Sequence, residues 1–449
     1  MDLIKNLFKG DKVIWIIFLF LCIISIIEVF SATSTLSYKS GNHWGPITQH
    51  TIFLLIGAAV VVVVHNLNYR LFQLIPFFLL PISAFMLLFV SIMGFITGDK
   101  VNGASRWMNL LGLQFQPSEF AKMAVIIYVS FILARNQEEN CANSKAFKLI
   151  LYVTGFFFLI IAPENLSTAL LLVIVVVLMM FIGRIEMKKM LKLLGVFAAA
   201  AVLGIGLIML APKETKEQVA GEDTELVHHA EGEELQTRSE GGLPFLHRFT
   251  TWKMRLIRFM HPENVPAEKY DIDKNAQIAH ARIAIATSNI IGKMPGNSVE
   301  RDFLSQAFSD FIFAIIIEEL GLIGGIFVVV LYIWLLIRAG RIAKKAKGNF
   351  ASFLVMGIAL LLVIQALINM CVAVGLMPVT GQPLPLISKG GTSTLINCAY
   401  IGMILSVSRY TSKLEEAEKD PYKTEKDTEL NKEQIIAEEE QFSTSTQNS

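Results

Sequence analysis

Long runs of apolar residues recur along this chain, separated by short polar stretches. An α-helix needs roughly 20 such residues to cross a bilayer, and most of the runs reach that length. Ten spans are predicted, at 13–32, 47–67, 71–95, 120–134, 149–162, 166–182, 191–211, 311–337, 351–376 and 386–407, of which the fourth and fifth are short. The predicted fold class is an all-α polytopic membrane protein of about ten transmembrane helices. One large extracytoplasmic loop, 212–309, lies between helices 7 and 8.

Lys and Arg set the orientation, because cytoplasmic loops carry an excess of them. With the N-terminus (1–12) inside, the inner segments ahead of the tail hold sixteen of these cations, from Lys5 to Lys347. The short outer loops hold only Lys39, Lys100, Arg106 and Lys389. Both termini are therefore expected in the cytoplasm, flanking a membrane domain at 13–409. The tail, 410–449, is Glu- and Lys-rich and reads as a disordered extension. Within the large loop, 213–242 is acidic and Gly-rich and also reads as disordered. The stretch from Leu243 interleaves Phe249, Trp252 and Phe259 with Arg248, Arg255 and Arg258. That is the pattern of an amphipathic helix on the membrane surface, whose cations suit lipid phosphate or a lipid-linked pyrophosphate equally.

Composition narrows the class. Of 449 residues, 53% are hydrophobic and 17% charged, which excludes an ordinary soluble domain. A formal net charge of +1 gives no basic field for nucleic acid. The four cysteines lie apart and form neither a disulfide framework nor a metal-binding spacing.

Candidate chemistry clusters on the outer side. Residues 304–321 carry a polar loop into an apolar helix, with Asp310 at the seam. Ser309 is expected to cap that helix and leave Asp310 in its first turn, where the dipole favours a carboxylate. Alone, this reads first as a helix cap at the membrane surface. Glu318 and Glu319 lie deeper in the apolar run, where acids are expensive. Structural or proton-path roles suit them. Gln116-Pro117-Ser118-Glu119 starts a helix, and Glu119 and Lys122, three apart, can pair on one face. Arg106 beside Trp107 suits an interfacial anchor or an anion contact. Pro163-Glu164-Asn165 reads as a tight outer turn. Between the last two spans, Pro378 to Ser393 is dense in Pro and Gly. Non-helical backbone near membrane depth survives only against protein or a wet cavity. Its Ser388-Lys389-Gly390-Gly391-Thr392-Ser393 run, with free N–H groups, hydroxyls and one cation, can hold phosphate.

These clusters, in this order, resemble the SEDS family of shape, elongation, division and sporulation proteins. The resemblance rests on Gln116 to Glu119 with Lys122, on Ser309-Asp310-Phe311 with Glu318-Glu319-Leu320-Gly321, and on Pro378 through Gly391. Gly296-Asn297-Ser298 looks more like the division branch than the elongation branch. The chain departs from the family at Ser388-Lys389-Gly390-Gly391, where Tyr usually replaces Lys389, and at Ala286-Thr287-Ser288-Asn289, where glycines are usual.

The resemblance implies a plasma-membrane glycosyltransferase that polymerises lipid II outside the cell during septal wall synthesis. It implies a class B penicillin-binding protein as partner, with other divisome membrane proteins and membrane lipid around it. Asp310 is the candidate general base on the acceptor sugar's 4-hydroxyl, with undecaprenyl pyrophosphate leaving. Arg106, Lys122, Lys389 and Arg255 are candidate pyrophosphate contacts, with Glu119 positioning Lys122. Gln277, Asn297, Ser298, Thr380, Gly381, Pro383, Pro385, Ser388, Gly390 and Gly391 complete the candidate substrate site. No covalently bound cofactor is expected. A Mg²⁺ or Mn²⁺ ion could bridge the pyrophosphate, though no protein cage for one is visible. The rival readings are a lipid II flippase, an elongation-type polymerase and a recruiting scaffold.

Overall fold

The computed structural model describes residues 9–33, 45–97, 108–110, 113–138, 142–210, 276–304 and 307–419. Ten long helices stand among them: α1 Lys12–Ala32, α2 Gly45–Asn66, α3 Ile75–Thr97, α4 Pro117–Arg135, α5 Ser144–Ile161, α6 Leu166–Ile182, α7 Met187–Leu210, α9 Ile312–Lys345, α10 Asn349–Ala373 and α11 Thr392–Lys419. A shorter helix, α8 (Ala276–Thr287), lies in the large loop. Seven of the long helices are apolar enough, over enough residues, to cross a membrane, and α6 is apolar but only 17 residues long. The chain is a multi-pass membrane protein. A three-residue hairpin, β1 (Met108–Leu110) with β2 (Leu113–Phe115), is the only sheet among the described residues. It is a small departure from the all-α expectation.

Local chemistry sets the helix ends. Asp11 caps α1, its Oδ1 accepting from Val13 N at 2.9 Å and Ile14 N at 3.3 Å. Pro117 opens α4, where its missing N–H costs nothing. Asn165 caps α6 through Thr168 N at 3.2 Å. Two boundaries correct the sequence reading. The last span was expected from 386, but α11 begins at Thr392, because Pro383 and Pro385 lack N–H groups and Leu386 and Gly391 hold φ of 66° and 50°. The tail was expected to lose order from 410, but α11 continues to Lys419. Tyr410 is seated against Tyr69, ring centroids 4.8 Å apart, and good helix formers follow it.

The bundle has a centre and a rim. Over their apolar windows α4 and α10 are 72% and 61% buried, against 22–28% for α2, α3 and α5. The rim turns Phe78, Phe85, Tyr152 and Leu159 outward, as lipid contact requires. Polar side chains on α4 and α10 are thus enclosed by protein. At the end read as cytoplasmic, Asp11 Oδ2 receives Arg338 Nε at 2.6 Å, tying α1 to α9.

Candidate active site

Asp310 stands in a turn, 307–311, ahead of α9. The expected cap is absent. Phe311 holds the N-cap position, and Ser309 Oγ instead donates to Asp310 Oδ1 at 3.0 Å. The turn is held by something stronger than a cap. Three successive carbonyls each receive a donor from elsewhere. Lys389 N donates to Phe308 O at 3.0 Å, Ser388 Oγ to Ser309 O at 2.6 Å, and Asn369 Nδ2 to Asp310 O at 2.8 Å. The Asp310 backbone is fixed while its side chain stays partly exposed.

The segment 374–391 that supplies two of those donors is itself held from every side. Its Pro and Gly residues leave carbonyls without helical partners, and four helical side chains satisfy them. Asn369 Nδ2 donates to Gln382 O at 2.7 Å, and Gln365 Nε2 to Pro383 O at 3.1 Å. The Tyr332 hydroxyl donates to Pro385 O, and Ser25 Oγ to Ile387 O at 2.7 Å. Gln382 also donates through Nε2 to Thr168 Oγ1 at 2.8 Å. This is the re-entrant backbone expected from the sequence, buried against protein. Ser25 lies seven residues before Ala32, the far end of α1 from Asp11, about 10 Å along the helix axis at 1.5 Å per residue, so the loop dips into the bundle. The Ser25 hydroxyl has one proton and gives it to Ile387. The 2.8 Å contact with His50 Nε2 therefore makes that ring nitrogen the donor.

Glu119 and Lys122 pair as expected, at 2.8 Å, and both are almost wholly buried, 3% and 0% exposed. Lys122 Nζ also donates to Gln365 Oε1 at 3.0 Å. A chain of contacts thus runs from Glu119 through Lys122 and Gln365 to the re-entrant loop, and through Asn369 to Asp310. Lys389 Nζ lies 5.5 Å from the Phe308 ring centroid, a cation–π contact beside Asp310. Burial pulls its pKa below the usual lysine value.

Glu318 and Glu319 do different work. Both are fully buried. Glu318 takes Lys293 Nζ at 2.6 Å, Val299 N at 3.1 Å and the Ser298 hydroxyl. Glu319 takes Gly296 N at 3.1 Å, Ser298 N at 3.2 Å and the Ser31 hydroxyl, with Arg301 at 3.8 Å. They anchor 289–301 onto α9 where Gly321, at φ 72°, breaks the helix. A side chain at Gly321 would collide with Ile290 O, and one at Gly292 with Glu319 O.

Of the candidate residues, Asp310, Glu119, Lys122, Pro383, Pro385, Ser388 and Lys389 converge on this network. Gly381 makes a left-handed turn at φ 70°, and Gly390 closes onto Ser393, whose Oγ donates to its carbonyl at 2.9 Å. Gly391 begins the approach to α11. The Thr380 hydroxyl is buried without a hydrogen-bond partner among the described residues. Ser298 belongs to the Glu318–Glu319 anchor rather than to the Asp310 turn. Asn297 is exposed and closes its own turn through Lys293 O at 3.0 Å. Gln277 sits at the start of α8, partly exposed. Arg106 and Arg255 lie outside the described residues, as does the 213–242 insertion. Gln365, Asn369, Gln382, Tyr332 and Ser25 were not among the expected site residues. Ser25, Tyr332, Gln365 and Asn369 are polar positions inside apolar runs, with Gln365 and Asn369 four apart on one helical face, and Gln382 lies within the Pro- and Gly-rich stretch itself. Among the described residues no group of three or more His, Cys, Asp or Glu could hold a metal.

Comparison with known proteins shows the family and the fold. A family described as Cell cycle protein, represented by FtsW, RodA and SpoVE, matches residues 11–220 and 242–413. A probable peptidoglycan glycosyltransferase FtsW of Geobacter metallireducens is 30% identical over 413 residues, 90% of this chain and 96% of that protein. Stage V sporulation protein E of Bacillus subtilis is 29% identical over 406 residues, 89% of this chain and 97% of that protein. Among solved structures, a chain from "Structural coordination of polymerization and crosslinking by a peptidoglycan synthase complex" superposes with a TM-score of 0.66 at 21% identity, covering 90% of this chain and 99% of that one. The rod shape determining protein RodA of Thermus thermophilus superposes at 0.57 with 20% identity, covering 90% and 98%.

Proposed function

The chain belongs to the FtsW, RodA and SpoVE family of cell cycle proteins, and from that premise we propose that it is a peptidoglycan glycosyltransferase that polymerises lipid II. The observation that carries the reading is the Asp310 turn. A carboxylate with a fixed backbone and a partly exposed side chain stands beside a cation, Lys389, and the start of α11.

Asp310 takes the proton of the acceptor sugar's 4-hydroxyl as that oxygen attacks the donor's anomeric carbon. The carbon–oxygen bond to the lipid pyrophosphate breaks, and the electron pair leaves with the phosphate. One carboxylate suffices for this displacement with inversion, because pyrophosphate departs without protonation. Lys389, the N–H groups at the start of α11 and a substrate-borne divalent cation would stabilise the departing charge. Glu119 and Lys122 are too deeply enclosed for proton transfer and serve to hold the loop. We further propose a crosslinking transpeptidase of the penicillin-binding class as partner, septal location, cytoplasmic termini and an external Asp310. The relatedness to a peptidoglycan synthase complex and to FtsW proteins supports these.

Asp310→Asn tests the assignment. The purified variant, with its crosslinking partner and labelled lipid II in detergent, should bind substrate but form glycan about 10²–10⁴-fold more slowly. Wild-type rates would remove Asp310 from catalysis. The flippase reading draws on the buried Glu119–Lys122 pair. The same assay separates it, because a flippase makes no glycan in detergent.

A further inference from the structure

Two side-chain amides on α10 connect parts of the site that are far apart in sequence. Their orientations are fixed by chemistry. Asn369 Nδ2 faces two carbonyls, Asp310 O at 2.8 Å and Gln382 O at 2.7 Å, and both can only accept. Its NH₂ must therefore lie there, and both N–H bonds are used. Gln365 Oε1 faces Lys122 Nζ at 3.0 Å, which can only donate, while its Nε2 faces Pro383 O at 3.1 Å. Each amide thus grips one of two consecutive loop carbonyls and one member of a second motif. The residues are four apart, so both lie on one face of α10, about 6 Å apart along its axis. They are 3% and 1% exposed, on one of the two most enclosed helices.

We infer that Gln365 and Asn369 are positioning residues for Asp310. The inference rests on the glycosyltransferase reading above. Asp310 precedes its helix, in a turn, and a reacting group must be held within ~0.5 Å of its productive place. Asn369 supplies that restraint at the residue's own carbonyl. Gln365 fixes the loop that carries Ser388 and Lys389, against the immobile Glu119–Lys122 pair. Neither amide touches substrate. Their loss shifts the base without removing it.

The test compares wild type with Asn369→Ala, Asn369→Asp and Gln365→Glu, purified with the crosslinking partner. Asn369→Asp keeps the volume but loses both donors. Gln365→Glu keeps the contact with Lys122, turns an acceptor toward Pro383 O in place of the donor and adds a negative charge beside Lys122. Displacing a reacting group by about 1 Å can cost 10²-fold. Both Asn369 variants should lose about that much in kcat, with KM for lipid II little changed and the acid limb of the pH–rate profile displaced. Gln365→Glu should show a smaller loss of the same kind. A wild-type kcat and pH profile, or a loss confined to KM, overturns the inference. Hydrogen exchange gives a readout without activity. The Lys389 amide, bonded to Phe308 O, should lose protection in Asn369→Ala while the α4 amides keep theirs. Unchanged protection overturns the inference. Should an Asn369 variant not fold, Gln365→Glu decides by the same two measurements. If wild type makes no glycan, the functional reading fails, and the exchange experiment still decides whether Asn369 holds the turn.

Discussion

Lys122 illustrates how much rests on single residues. It has no exposed surface, and Glu119 and Gln365 are its two partners at hydrogen-bond distance. An ion pair so enclosed contributes little beyond its own desolvation cost, yet breaking it leaves an uncompensated charge. Lys122→Met should therefore destabilise the protein by about 3–5 kcal/mol. The double variant Glu119→Gln, Lys122→Met should recover part of that, read as thermal unfolding in detergent. Equal losses for the single and double variants would mean that Glu119 finds water in the fold. The sequence showed this pair directly, because a three-residue spacing on a helix puts both on one face. It could not show Gln365, whose partners Lys122 and Pro383 lie 243 residues before it and 18 after it.

At the scale of elements, the break in α9 decides the shape of the site. Gly321 adopts φ 72° with its α-carbon packed against the backbone of 290–292. Leu322 N and Ile323 N, freed from the helix, donate to Asn289 O at 3.3 Å and Ile290 O at 3.4 Å. Lys293 N and Met294 N return the favour to Glu318 O at 2.9 Å and Glu319 O at 2.8 Å. A methyl group at 321 meets both an unfavourable dihedral and a backbone collision. Gly321→Ala should cost more than the ~1 kcal/mol of an ordinary helix substitution and should loosen the 289–301 anchor. Proteolysis of that loop in the folded variant is the measurement, and wild-type resistance would contradict it. The glutamates after Ile317 were legible as costly and hence purposeful. Their purpose, to receive a distant loop, was not.

Over the whole molecule, the ten helices place Asp310 and the cations of 338–345 at different levels of the bundle, with Arg338 bound to Asp11 at the α1 start. The Lys and Arg bias then predicts the sides. A cysteine at Asn297 should react with an impermeant maleimide in intact cells, and one at Lys344 only after permeabilisation. Both positions are exposed. Reversed labelling would turn Asp310 away from the external substrate. Hydrophobic run length determined, from sequence alone, that the chain crosses the membrane repeatedly, because burying backbone in lipid requires long apolar helices whatever their neighbours. Motif spacing likewise marked Asp310, the Glu119–Lys122 pair and the Pro-Gly loop. Tertiary structure alone decided how they meet. The polar groups that helix breaks set free must find partners inside the bundle, and those partners, Ser25, Tyr332, Gln365 and Asn369, come from three helices whose order in space no local pattern encodes.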